Sequence, residues 1–152
     1  MSNYLQMIKD NANSITAVLE HFEEEYLKGK EEIKIKGKLI DCISQLPCLY
    51  EQRFAQLQEL EAILGFFETK MKSIKSSLYQ KLVSSSARAL NSNDVKMYID
   101  GDKNVVEIQL VINDITLTRN KFISLTKGFE AGEYMLNNIT KLQCAGLDTI
   151  II

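Results

Sequence analysis

Leu57, Leu60, Leu64, Phe67, Met71, Ile74 and Leu78 recur at alternating steps of three and four, a sustained heptad seam. Phe54, Ile63, Phe66 and Leu82 lie beside the seam and widen it beyond what a two-stranded zipper needs. The pattern predicts one long helix from Pro47 to about Val83, with Pro47 in the first turn, where its missing N–H is not needed. A 3.5-residue period keeps the seam turned toward a partner helix and implies left-handed packing. At 1.5 Å per residue such a helix runs roughly 50 Å, so an oligomer or a long antiparallel bundle is expected.

The flanking stretches also read mainly as helix. Tyr4, Leu5, Ile8, Ala12, Ile15, Val18, Leu19, Phe22, Tyr26 and Leu27 share one face of a first helix over residues 3–28. Glu20 and Glu23-Glu24-Glu25 face solvent on it, and Lys28-Gly29-Lys30 closes it. Glu32-Ile33-Lys34-Ile35-Lys36 then alternates polar and apolar, which predicts a short β segment near residues 32–40, with an extra helix turn as the alternative. Lysines 28, 30, 34, 36 and 38 form a basic cluster that would guard such an edge.

After the long helix, Asn91-Ser92-Asn93-Asp94 caps a short helix through Tyr98 and Ile99. Asp100-Gly101-Asp102 turns the chain, and Asp102 caps a third main helix from about Lys103 to Lys127. Val105, Ile108, Val111, Ile112, Ile115, Phe122 and Leu125 are its apolar face; Arg119 and Lys121 are exposed on it. Gly128 and Gly132 bracket a break before Tyr134–Ile139, and the apolar end Leu147–Ile152 docks on the core or on another subunit. The reading is a mainly α fold, a long heptad-bearing helix packed in an antiparallel helical bundle. One helical domain spans 1–152, with 1–46 as N-terminal helix plus connector and 129–152 as C-terminal assembly segment.

Composition narrows the function classes. A chain of 152 residues can bury a real core, and one Pro with seven Gly argues against a loop-rich all-β fold. A net charge of −2 gives no global basic signature, so nucleic-acid binding has to come from a local patch. Cys42, Cys48 and Cys144 lack CxxC spacing and read as reduced, buried thiols of a cytosolic protein. No signal peptide and no bilayer-length apolar run is present, so a soluble cytoplasmic protein without membrane contact is expected.

Catalytic and metal chemistry finds no footing. His21 is the sole histidine and stands beside Phe22 on an apolar face, a structural position. Asp100, Asp102 and Asn104 begin like a calcium loop, but Val105 replaces its glycine and Val111 its bidentate glutamate. Phosphate-binding, dinucleotide, zinc-protease and serine-hydrolase motifs are missing. The expectation is a protein that is not an enzyme and carries no metal or cofactor.

The one local charge feature lies in the second half of the long helix. From Thr69 to Asn93 there is no Asp or Glu, while Lys70, Lys72, Lys75, Lys81 and Arg88 are all basic. Such a stretch is either a solvated face or a patch that tracks phosphates through counterion release. Tyr79 within it is expected in the core, base stacking being its functional alternative.

Three stretches carry a resemblance: Leu46-Pro47-Cys48-Leu49-Tyr50 with Arg53-Phe54, Ile74-Lys75-Ser76-Ser77-Leu78-Tyr79, and Tyr134-Met135-Leu136-Asn137-Asn138-Ile139. Together with Asp94, Tyr98-Ile99 and Asp102 they resemble the UvsY-type recombination mediators of large tailed phages, over residues 40–140. That resemblance implies a small helical protein that forms homo-oligomeric rings and binds single-stranded DNA. It further implies help in loading a RecA-like recombinase onto strands coated by single-strand binding protein, in the host cytoplasm. By resemblance Lys75 takes the DNA-contacting position; Ser77 stands where the family has a basic residue, and Lys72 and Lys81 are placed to compensate. The alternative reading is a helical oligomeric assembly or scaffolding protein with no nucleic-acid role.

Overall fold

The computed structural model describes residues 3–85 and 91–146. Five α-helices follow in order: α1 (Asn3–Asp10), α2 (Ile15–Glu32), α3 (Leu39–Ser85), α4 (Ser92–Asp100) and α5 (Lys103–Cys144), with a 3₁₀ turn at Ala12–Ser14. The mainly α fold expected from the periodicity is what forms. No strand occurs among the described residues. The alternating 32–36 run ends α2 at Glu32 and then becomes an irregular connector, turned at Gly37 with φ +102°. A single alternating run without a partner strand has nowhere to place its ladder hydrogen bonds, so α2 takes its first residue and the rest stays open.

Helix boundaries differ from the periodicity at four places, each with a local cause. Asn11, extended at φ −147°, accepts a hydrogen bond from the Asn13 amide at 3.1 Å and splits the first expected helix in two. Pro47 is not at a helix start: α3 begins eight residues earlier, and Pro47 sits inside it. Gly29 does not end α2, nor do Gly128 and Gly132 break α5. Gly29 and Gly128 are contact points instead. A Cβ at Gly29 would stand 2.5 Å from Leu125 Cδ2, and one at Gly128 would stand 2.7 Å from Ile33 Cδ1. Both glycines let α2 and α5 approach closely.

Two compact units divide the chain, Met1–Glu59 with Thr118–Ile152 (unit 1) and Leu60–Leu117 (unit 2), so α3 and α5 each contribute to both. In unit 1 the pairings Lys121–Glu23, Phe122–Phe22 and Gly128–Ile33 rise together along α5 and α2, so these two helices run parallel. Gln56 meets Glu25 while Arg53 meets Glu32, so α3 runs antiparallel to α2. Ile8, Val18, Phe22, Phe122, Leu125 and Phe129 are the buried centre, with Phe22 and Phe122 edge to face at 5.7 Å. His21 stacks on Tyr4 at 4.9 Å, a structural position as its surroundings suggested.

Unit 2 buries Leu60, Ile63, Leu64, Phe67 and Met71 of α3 with Val95 and Ile99 of α4 and Val105 and Ile115 of α5. Seam residues Leu57 to Met71 are thus buried within one chain, at about 1.5–3 kcal/mol per large apolar side chain. Ile74 and Leu78, further along, are half-buried. Asn91 caps α4, and Asp102 accepts from the Asn104 amide at 2.9 Å to cap α5, as the Asn and Asp clusters indicated. The cysteines are not the buried thiols expected: Cys42 is half-buried, Cys48 and Cys144 are exposed.

Candidate nucleic-acid interface

The acid-free stretch of α3 places its lysines on more than one face. At 100° per residue, Lys70 and Lys81 fall about 20° apart, and Lys72 and Lys75 about 60° apart on the opposite side of the helix. Lys72 and Lys81 are exposed; Lys70 and Lys75 are half-buried. Arg88 lies outside the described residues, as does the 147–152 segment. Tyr79 is 53% exposed rather than in the core, because it stands on the outer side of α3 from Ile74 and Leu78. That leaves its ring open to solvent and to a stacking partner.

Lys75 is engaged. Its Nζ lies 2.7 Å from Asp100 Oδ1 at the end of α4, and the hydrogen bond it donates holds the Asp100 carboxyl below the usual carboxylate range. The pair borders a shallow cleft of about 320 Å³ whose other walls are Val105, Val106, Gln109 and Leu110 of α5. A phosphate approaching Lys75 has to displace this carboxylate. Exposed surface ion pairs of this kind are weak, about 0–1 kcal/mol, so the displacement is feasible. Across unit 2 as a whole the charges balance, with seven basic and seven acidic residues. Positive potential there is confined to the α3 segment.

The second basic cluster is dispersed. Lys28 pairs with Glu25 and Lys34 with Glu31, while the Lys30 ammonium lies 5.8 Å from the Tyr26 ring centre. Lys121 is not a free surface charge either; it binds both oxygens of Glu23, at 2.8 and 2.6 Å.

One polar cluster escaped the sequence reading. Arg53 is 1% exposed and its guanidinium holds Glu32 with two hydrogen bonds, Nε to Oε2 at 2.9 Å and Nη2 to Oε1 at 2.7 Å. Its Nη1 donates to Glu25 Oε2 at 2.7 Å and to Gln56 Oε1 at 2.8 Å. Glu25, expected on a solvated face, is 8% exposed. The Lys28 hydrogen bond, then that of Gln56, outweigh burial and, with Arg53, bring the Glu25 carboxyl down to about 2. Burial opposes the Arg53 charge, but Glu32 and Glu25 hold it protonated above its already high value. A signal was present: Arg53 stands four residues before Leu57, in register with the heptad seam, and Glu25 and Glu32 are two helical turns apart on one face.

Among the described residues no cluster of His, Cys, Asp and Glu is arranged to hold a metal ion, and no helix is long and apolar enough to cross a membrane. Comparison with protein-family models, with curated proteins and with solved structures returns no match.

Proposed function

We propose that this chain is a non-catalytic mediator of phage DNA recombination, repair and replication. It holds single-stranded DNA on the C-terminal half of α3 and helps a RecA-like recombinase load onto strands covered by single-strand binding protein, working as a homo-oligomer in the host cytoplasm. The partners come from the resemblance to UvsY-type mediators. The observation that carries the binding step is the run of α3 beyond Thr69, where Lys72 and Lys81 are exposed and no acidic residue follows until Asp94. Tyr79, exposed between them, offers a ring for a base. Lys70 and Arg88 extend the same run, and Lys75 joins it when a phosphate replaces Asp100. Several weak patches on one oligomer then act together through effective concentration.

Fluorescence anisotropy of a labelled single-stranded oligonucleotide at two salt concentrations tests this. Saturable binding that weakens as salt rises, and is lowered by Lys72→Ala with Lys81→Ala, is the expected result. Absence of binding at low salt by folded protein overturns it. The second reading, a helical assembly protein without nucleic-acid binding, is favoured by the stripe Val106, Leu110 and Leu117 on α5, which is 44–59% exposed. Self-association without salt-sensitive DNA binding would select that reading.

A further inference from the structure

Unit 1 contains a cleft of about 300 Å³ between Ile43, Leu46, Pro47 and Tyr50 of α3 and Phe129, Glu133, Leu136 and Asn137 of α5. Its origin is topological. Helix α2 accompanies α5 only as far as Ile33, which touches Gly128. Beyond that level α5 runs on to Cys144 and α3 back to Leu39, two helices with inward apolar faces and no third helix beside them. Two helices alone leave a groove where a third would pack, and its walls here are apolar at the base and acceptor-rich at the rim. Glu133 supplies an exposed carboxylate. The Ile43 carbonyl points toward Pro47, which has no N–H to donate to it.

The surface that complements this groove lies on the same chain. Met97 and Tyr98 of α4, 75% and 74% exposed, stand next to the exposed Lys96. A thioether suits an irregular apolar seat among Leu46, Phe129 and Leu136. The Lys96 ammonium and the Tyr98 hydroxyl are donors where the groove offers acceptors. We infer that the α3–α5 groove of one copy receives helix α4 of a second copy. Groove and knob are different patches, so the contact is heterologous, and each copy keeps one of each available to the next. The inference rests on the self-association part of the reading above and not on its DNA-binding part.

Sedimentation velocity gives the first test. Wild-type protein associates, and Tyr98→Asp or Glu133→Lys weakens association about tenfold or more, as expected for a central interface residue. Lys96→Glu weakens it too, and combining Lys96→Glu with Glu133→Lys restores much of the loss. Circular dichroism confirms that each variant is folded. Disulfide trapping is independent of those variants. Two chains with Cys42, Cys48 and Cys144 all replaced by Ser, one carrying Ile43→Cys and the other Met97→Cys, are mixed and oxidised. A covalent heterodimer that forms in the mixture and in neither chain alone is expected. Wild-type association without that heterodimer, and without rescue by the charge swap, overturns the groove assignment while leaving the oligomer. A strictly monomeric wild type overturns both, and leaves DNA binding to be judged by anisotropy.

Discussion

Removing Arg53 tests whether the buried ion network holds unit 1 together. Arg53→Ala deletes four hydrogen bonds at once, two to Glu32, one to Glu25 and one to Gln56. Stripping one partner from a buried pair costs about 3–5 kcal/mol, mainly because the opposite charge stays behind without compensation. Two features pull this case to the lower end. Glu25 keeps Lys28 at 2.7 Å, and the Glu32 side chain is 28% exposed and can turn toward water. About 3 kcal/mol is therefore expected, a large share of the 5–15 kcal/mol by which a domain is normally stable.

Urea unfolding followed by far-ultraviolet circular dichroism measures it. With a slope of about 1–3 kcal/mol per molar urea, the midpoint should fall by roughly 1–3 M. A second variant separates stranded charge from lost packing. Arg53→Met with Glu25→Met removes both buried charges and keeps apolar volume, so it should recover half or more of the Arg53→Met loss. A loss below about 1 kcal/mol in Arg53→Ala, or a double variant no better than Arg53→Met alone, would refute the reasoning.

Acid should expose the same network. The Glu25 carboxyl sits near 2 in the folded chain against 4.5 ordinarily, so its contribution is complete above about pH 4.5 and is lost as pH falls toward 2; Glu25→Gln should flatten urea midpoints across that window. Replacing Asp100 by Asn releases Lys75 and should strengthen single-stranded DNA binding, with the log–log salt dependence steeper by about 0.7 for one added phosphate contact, read by anisotropy. Glycine replacements should split by position in thermal melts. Gly29→Ala and Gly128→Ala meet Leu125 and Ile33 and should cost about 1–3 kcal/mol. Gly132→Ala and Gly65→Ala, with nothing within 4 Å, should gain up to about 1 kcal/mol from helix propensity.

Apolar periodicity located the helices well because burial of one face is the main term that forms them. Leu60, Phe67 and Met71 were read as seam and are buried; Asn91 and Asp102 were read as caps and cap. The ends were harder. Pro47 and Gly29 are local signals for starts and stops, and they were overruled by packing that no local window contains. Gly29 touches Leu125, nearly a hundred residues away, and the missing Pro47 hydrogen bond is one loss against the many that α3 makes. Charge was misread for a related reason. Glu25 looks like any acid in a solvated triplet until Arg53 is placed on the neighbouring antiparallel helix.

The lysines of the candidate site show the same limit from the other side. Counting them along the sequence makes one patch; winding them on α3 makes two pairs, and folding α4 against α3 neutralises Lys75 with Asp100. A DNA strand laid along one side of α3 therefore meets two of the lysines and not all four. Strong binding by a single copy is not to be expected from so few contacts, since each phosphate neutralised contributes only modestly at physiological salt. Useful affinity requires several copies to hold one strand together. The oligomer is then a condition of the proposed function, and variants that disrupt self-association, with every α3 lysine intact, should lose most of their DNA binding in the anisotropy assay.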